Sequence, residues 1–522
     1  MKTALKTVKP STKPTHALSK SAGQSIQARA SQELVIALSG PVGCGAPHVR
    51  ESLMRTLAGR GYKVVPVKVS ELLANLNKEI AGEVERSLYS SEFERINGLQ
   101  EIGNSLRNLF GDDVGSQLAI KSIAIDRTAS QPGKAIGEIE PARVAYLIDQ
   151  LKHPKEALLL RNIYGNMFYT VGVLCGYARR KKNLVALGMS PQNAEALMEK
   201  DRKESDDNGQ QLEKTLKLAD FFLRNSHHNT QILDQAIGRF VGLVHGDNGL
   251  TPTRQEYGMY SAYVASLKSA CLSRQVGASI VDRSGNVIST GCNDVPRAGG
   301  GLYEAGQLGQ DHRCIFLEGG KCFNDKEKDR VKEQIADILK SNGLDLKEAR
   351  RLAAVIRKES RLKDLIEFSR AVHAEMDAIV RVARCGGQSV SGAFMFATTY
   401  PCHNCARHIV ASGIRAVYFI EPYEKSMAVT LHDDSIDHEP DEDPKWDELQ
   451  ASFKVAFLHF EGVAPNRFSE FFYAQADRKD SGGRAIKVNI GLSQKKAPEY
   501  LDNYRELEAL VIKRLEAIKE TT

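Results

Sequence analysis

Apolar residues follow two rhythms along this chain. Nearly unbroken apolar runs at 33–39, 62–67, 167–172, 393–398 and 416–420 have the length of strands buried on both faces. Longer stretches space their apolar positions three and four residues apart and predict helices at 49–60, 254–273, 372–384 and 402–412. Residues 143–151 also read as a helix, with Val144, Leu147, Ile148 and Leu151 as its apolar positions. Residues 72–113 and 325–368 read as charged helical regions, and 499–519 as a charged helix near the end of the chain. Residues 274–281 and 287–291 flank the turn Asp282-Arg-Ser-Gly-Asn286 and predict a β-hairpin, while 453–460 closes a sheet. Strands alternating with helices make the fold class α/β, and 522 residues suffice for two or three domains. A turn-rich segment near 246–252 marks a boundary, so we expect a tail over 1–30, one domain over 31–248 and another, with a C-terminal extension, over 249–522.

Composition narrows the class. The chain is 42% hydrophobic and 26% charged, ordinary for a globular protein, and its formal net charge of +6 is small for this length. Part of that charge lies in a lysine-rich N-terminal stretch, so the balance alone does not argue for nucleic acid. Nine cysteines, an odd number scattered through a long chain, fit a reducing compartment better than a disulfide framework. No apolar run reaches membrane-spanning length, and the N-terminal stretch lacks both acids and an apolar signal core. We therefore expect a disordered tail, a cytoplasmic location and no membrane contact.

Candidate chemistry concentrates between residues 371 and 421. His373-Ala374-Glu375 opens one expected helix, and Pro401-Cys402-His-Asn-Cys405 opens the next. One imidazole and two thiolates suit Zn²⁺ and leave a fourth tetrahedral position for water. Cys402 and Cys405, three residues apart at a helix start, can aim at one point, and the helix N-terminus favours their thiolate form. Glu375 stands beside His373 without being a ligand, where it can take a proton from an activated water and pass it to a ring nitrogen and a leaving amine. A lone Cys-x-x-Cys also occurs as a redox pair or as half of a structural zinc site. The order H-x-E…P-C-x-x-C is the signature of zinc nucleobase deaminases.

Weaker signals lie on either side. Gly40-Pro-Val-Gly43-Cys-Gly45, between a strand and a helix, has the G-x-x-x-x-G spacing of a phosphate-binding loop. Gly40, Gly43 and Gly45 are thus candidate phosphate contacts, with a ligand-free turn as the alternative. Ala46 and Pro47 stand where a lysine and a hydroxyl would neutralise phosphates and hold Mg²⁺, so phosphoryl transfer is not expected. The basic run Arg179-Arg-Lys-Lys182 and the charged run 200–207 are either a lid over phosphates or solvated helix faces. Cys271, His312, Cys314 and Cys322 are candidates for a second, structural zinc site, although the spacing of the last two cysteines is irregular for one. Arg274 is a candidate phosphate contact or a surface ion-pair partner. Asn293, at a strand end, is a candidate substrate reader or a turn residue.

Together, Arg274-Gln-Val-Gly-Ala, Gly291-Cys-Asn293, His373-Ala-Glu375, Pro401-Cys402-x-x-Cys405 and Glu421-Pro-Tyr423 resemble the deoxycytidylate deaminase family over residues 260–423. The resemblance implies a cytidine-deaminase-like three-layer α/β/α domain. It also implies catalytic zinc on His373, Cys402 and Cys405, proton transfer by Glu375 and a substrate contact from Asn293. Ala374 and Tyr423, inside the same motifs, are further substrate-binding candidates. With a degenerate P-loop, kinase-like domain ahead of it and the segment Val-Ala-Pro-Asn-Arg-Phe-Ser-Glu-Phe-Phe behind, the whole is similar to bacterial anti-phage dCTP deaminases. That similarity implies deamination of free dCTP and dCMP, draining dCTP during infection, in a homo-oligomer; some members are silenced by a small RNA. The other readings are a housekeeping dCMP deaminase, a tRNA or single-stranded nucleic-acid deaminase, and a nucleotide-sensing regulator with structural zinc. Near-neutral charge and the lack of a basic, aromatic-rich segment weigh against nucleic acid, and Glu375 weighs against a regulator.

Overall fold

The computed structural model describes residues 30–521 apart from 82–88, 134–139, 141, 203–210, 226–229, 307–309, 318, 422–425, 441–448, 450–451, 475–477 and 492–500. Except for Ala30, the tail expected to be disordered lies outside the described residues. Two mixed six-stranded sheets organise the α/β fold. The first contains β1 (Leu34–Ser39), β2 (Lys63–Lys68), β3 (Val144–Asp149), β4 (Phe168–Leu174) and β5 (Phe221–Arg224), parallel and in the order β5-β4-β1-β3-β2. β1 is buried at every position, as a strand covered by helices on both faces must be.

The second sheet contains β6 (Gly277–Val281), β7 (Val287–Cys292), β8 (Phe394–Thr399), β9 (Ala416–Glu421), β10 (Ile436–His438) and β11 (Val455–His459), in the order β10-β11-β9-β8-β6-β7. β6 pairs antiparallel with β7, completing the expected hairpin, and antiparallel with β8; from β8 to β10 all neighbours run parallel. Gly291 on β7 is where the helix Ala374–Cys385 crosses the sheet most tightly. A Cβ there would lie 2.3 Å from the Ala374 carbonyl oxygen and 2.4 Å from the Ala378 nitrogen. Leu174 and Phe222 of the first half and Phe394, Phe396 and Phe460 of the second share one apolar cluster, which joins the two sheets. Among the described residues, no helix is long and apolar enough to cross a membrane.

One expected element changes type: residues 143–151 supply β3, not a helix. Val144, Ala145, Tyr146, Leu147 and Ile148 are all buried between β1 and β2. In an apolar run this continuous, a spacing of three and four carries no information, because every position is apolar.

The end of the described chain returns to its beginning. A short strand, β12 (Gly462–Val463), pairs antiparallel with the edge strand β5. The helix Leu501–Thr521 packs against the helix Val114–Ser130. Between these helices, Arg127 donates from Nε and Nη2 to Glu33 at 2.8 and 2.9 Å and from Nη1 to Glu508 at 2.6 Å. Tyr164 donates its hydroxyl to the other Glu508 oxygen at 2.8 Å. All four side chains are buried. The segment expected to extend the second domain thus completes the first sheet and packs on its helices. Arg127→Met leaves two buried carboxylates without their cation and is expected to destabilise the chain by about 3–5 kcal/mol. That appears as a lower urea midpoint at constant slope; an unchanged midpoint would show that the cluster is not a stabilising link.

Candidate active site

His373 and Cys402 each stand immediately before a helix, in extended backbone. His373 (φ −76°, ψ 154°) precedes Ala374–Cys385, and Cys402 (φ −70°, ψ 163°) precedes His403–Ala411. The second of these helices follows β8, so Cys402 lies just past the carboxyl end of a parallel strand, the edge at which α/β sheets place ligands. Cys405 is one turn further on and buried. His373 Nδ1 is 3.2 Å from Cys402 Sγ and 3.4 Å from Cys405 Sγ, and the three ligand atoms lie within 4.8 Å of one another. His373 and Cys402 line a cavity of about 360 Å³, with Cys405 behind them. One nitrogen and two sulfurs, converging beside open space, fit a zinc ion that keeps one position for water.

Among the described residues, no other group of three His, Cys, Asp or Glu side chains meets that spacing. Cys271, Cys314 and Cys322 line one small cavity of about 20 Å³, but the structure does not draw them and His312 into such a group. A shared zinc needs ligand atoms within roughly 4 Å of each other, since each sits about 2.0–2.3 Å from the ion.

The charges at the site are coupled. The hydrogen bond from Cys405, helped by His373, outweighs burial and pulls the Cys402 thiol down to about 4. His373 is pushed up to about 9, chiefly by its hydrogen bond to Cys402. Both shifts favour a thiolate on Cys402 beside a protonated His373, and a metal ion bound there would compete with a proton for the imidazole nitrogen. Burial, reinforced by the Cys402 charge, raises the Glu375 carboxyl above the usual carboxylate range. A carboxyl moved towards neutrality is suited to take up and release protons there. Glu375 Oε2 lies 3.4 Å from Cys405 Sγ, and Glu375 shares the cavity wall with His373.

The remaining sequence candidates divide. Asn293 lines the cavity, and both arms of its amide are engaged: Oδ1 accepts from the Val276 N–H at 2.7 Å and Nδ2 donates to the Arg274 carbonyl at 2.8 Å. It ties the end of β7 to the chain entering β6. Arg274 lines the same cavity while its Nη1 lies 4.0 Å from Glu421, so the position serves both readings given to it. Ala374 is buried on the cavity wall. Tyr423 lies outside the described residues.

Gly40, Gly43 and Gly45 belong to the other sheet, between β1 and the helix Ala46–Ala58. Gly43 has φ +80°, and a Cβ there would lie 2.7 Å from the Arg180 carbonyl oxygen. Within this loop the Val42 N–H donates at 2.6 Å to Asp201 Oδ2, while Lys152 Nζ holds Asp201 Oδ1 at 2.7 Å. A carboxylate of the chain itself thus sits on the loop as an anion.

Sequence reasoning missed Tyr400, Lys328 and Lys363, which also line the cavity. The charged insertion folds as two helices, Phe323–Ser341 and Leu346–Glu359, and its first helix walls the pocket, with Lys328 Nζ on the Lys363 carbonyl at 2.8 Å. Its lysines are spaced like those of any solvated helix and carry no signal. The aromatic residue directly before Pro401 was the one available hint.

Known proteins are similar over the same region. Residues 252–421 match the family model described as the cytidine and deoxycytidylate deaminase zinc-binding region. The chain is 29% identical over 215 residues to the deoxycytidylate deaminase of Enterobacteria phage T2, covering 39% of this chain and 93% of that protein. It is 31% identical over 172 residues to the deoxycytidylate deaminase of Enterobacteria phage T4, covering 32% and 76%. The solved dCMP deaminase of cyanophage S-TIM5, in apo form, is 18% identical, covers 40% of this chain and 99% of that one, and has a TM-score of 0.21.

Proposed function

The chain belongs to the deoxycytidylate deaminase family, and on that premise we propose that it converts deoxycytidine nucleotides, dCMP and dCTP, to their uracil counterparts by zinc-dependent hydrolysis. The observation that carries this reading is the buried Glu375 beside the converging His373, Cys402 and Cys405, at the wall of a cavity large enough for a nucleotide base and sugar. Zinc held by those three residues would supply a water with its pKa lowered towards neutrality. Glu375 then takes one proton from the attacking water and delivers it to N3 of the base as oxygen adds to C4. A second transfer to the exocyclic amine releases ammonia and leaves the uracil carbonyl. Burial of Glu375 keeps bulk water from taking over these transfers.

The names of the phage relatives support dCMP as a substrate; dCTP and a role against phage rest on the resemblance of the longer chain. The first sheet, with a glycine loop after β1, supports a P-loop, kinase-like domain over 31–248 that lacks the lysine and hydroxyl needed for phosphoryl transfer. Release of ammonia or uracil nucleotides from dCMP, dCTP, CTP and cytidine tests the proposal directly. Turnover of dCMP and dCTP is expected; activity confined to RNA or single-stranded DNA would sink it. Arg274→Ala is expected to raise the KM for dCMP about tenfold while leaving that for deoxycytidine unchanged, since it removes a charged phosphate contact. Equal changes for both would place Arg274 away from the phosphate.

A further inference from the structure

The glycine loop Gly40–Gly45 plays no part in the reaction proposed above, yet the chain grips it from three sides. From the helix Tyr177–Ala186, Arg180 Nε donates to the Val42 carbonyl at 2.9 Å and Asn183 Nδ2 to the Gly43 carbonyl at 2.8 Å. From just past β5, Asn225 Nδ2 donates to the carbonyls of Cys44 at 2.8 Å and Gly45 at 3.1 Å. From the helix Pro191–Arg202, Asp201 reaches the Val42 N–H. The Val42 side chain packs against Leu184, Leu197 and Met198, buried residues of the same two helices.

An ordinary buried ion pair would need Lys152 alone. Asp201, which has no exposed surface, instead divides its two oxygens. Oδ1 takes the Lys152 ammonium at 2.7 Å, and Oδ2 takes the Val42 N–H at 2.6 Å. The same ammonium donates to the Gly40 carbonyl at 2.9 Å. Lys152 lies just past β3, so the ammonium that position 46 lacks comes to the loop from a neighbouring strand. A backbone N–H and a lysine directed at one anion are what a phosphate-binding loop offers to phosphate. Here the anion belongs to the chain.

We propose that Asp201 is a built-in occupant of the glycine loop, an autoinhibitory contact that stands in for a phosphate group and latches the two helices shut over the loop. A phosphate-bearing molecule reaches the loop only in copies of the chain whose helix pair has opened, and its apparent affinity falls with the fraction of such copies. The charge of Asp201 adds to the exclusion, because a second anion brought against a buried carboxylate is repelled with little solvent to screen it. The balance reverses once the carboxylate is gone. Lys152, whose side chain is 15% exposed, is then a mostly buried cation beside a backbone N–H that has lost its acceptor, and an anion from solution satisfies both.

Thermal unfolding of the full chain, unmodified and as Asp201→Ala, tests the proposal in chloride and in inorganic phosphate at matched ionic strength. The variant is expected to melt below the unmodified chain in chloride. Phosphate should then raise its midpoint by about 3 °C more than it raises that of the unmodified chain, the shift given by an ion at about ten times its Kd. Adding Lys152→Met to Asp201→Ala should remove that difference. Equal shifts for the two proteins overturn the proposal, and so does a gain that survives the loss of Lys152. Hydrogen exchange on the unmodified chain supplies a second reading that does not depend on how the variant folds. The Val42 amide is expected to be protected with no ligand present, and phosphate to leave exchange across residues 40–46 unchanged. A freely exchanging Val42 amide, or protection of the loop added by phosphate, would equally overturn the latch. Neither readout involves deamination, so the result stands whatever reaction the chain performs.

Discussion

Glu375→Gln is expected to retain one zinc per chain and to lose about 10²- to 10⁴-fold in dCMP deamination, the range that a positioned acid–base group contributes. The substitution keeps the shape of a side chain that is buried on the cavity wall. It leaves His373, Cys402 and Cys405 to hold the metal, and removes the group able to accept a proton and hand it on. An amide of the same size can hydrogen-bond to water and substrate, so substrate affinity should change little while kcat falls. Zinc content by atomic absorption and ammonia release, measured on the same preparation, check the two halves of the expectation. A variant within tenfold of the unmodified chain would take the proton shuttle away from Glu375. Loss of zinc along with activity would make Glu375 part of the metal site instead.

Cys402→Ser is expected to abolish zinc binding and deamination together. A serine hydroxyl at that position does not ionise near neutrality, whereas the Cys402 thiol is pulled down to about 4 by the hydrogen bond from Cys405 and the neighbouring imidazole, against the effect of burial. Two remaining ligands hold zinc far less tightly than three, and the fold loses whatever stability the bound ion contributed. The thermal midpoint in the presence of zinc should therefore fall towards that of the metal-stripped protein. An active Cys402→Ser protein with one zinc per chain would remove Cys402 from the ligand set. The contrast with Glu375→Gln separates the two roles, since one variant loses activity with its metal and the other without losing it.

The convergence of His373, Cys402 and Cys405 was legible because these residues are local in sequence. His373 and Glu375 share one helix start, Cys402 and Cys405 another, and only the meeting of the two starts had to be supplied by the fold. β8 and β9 were legible for the same reason, as short apolar runs between helices. What stayed hidden depends on distant partners. β3 reads as a helix because nothing local says that Val144–Asp149 lies between two parallel neighbours. Asn293 offers a free amide on paper, and only the folded chain shows Arg274 and Val276 engaging it. Asp201, from a charged run that reads either as a lid over phosphates or as a solvated helix face, is buried on the glycine loop. Lys328 and Lys363 came to the pocket through an insertion whose packing no periodicity encodes.

The return of the helix Leu501–Thr521 to the first sheet also sets an order of events during synthesis. Arg127 and Glu508 are 381 positions apart. At about 5–20 residues per second, a ribosome needs on the order of 20 to 80 s to cover that distance. Throughout that interval Arg127 has Glu33 but not its second carboxylate, and β5, once made, remains an open edge until β12 follows it. The whole of the second sheet emerges in the meantime, so the half bearing His373 and Cys402 can form while the half made first is still unfinished. A message cut short between β11 and β12 would thus yield a chain with His373, Cys402 and Cys405 in place but with β5 an exposed sheet edge, the kind of product that chaperones hold and proteases clear.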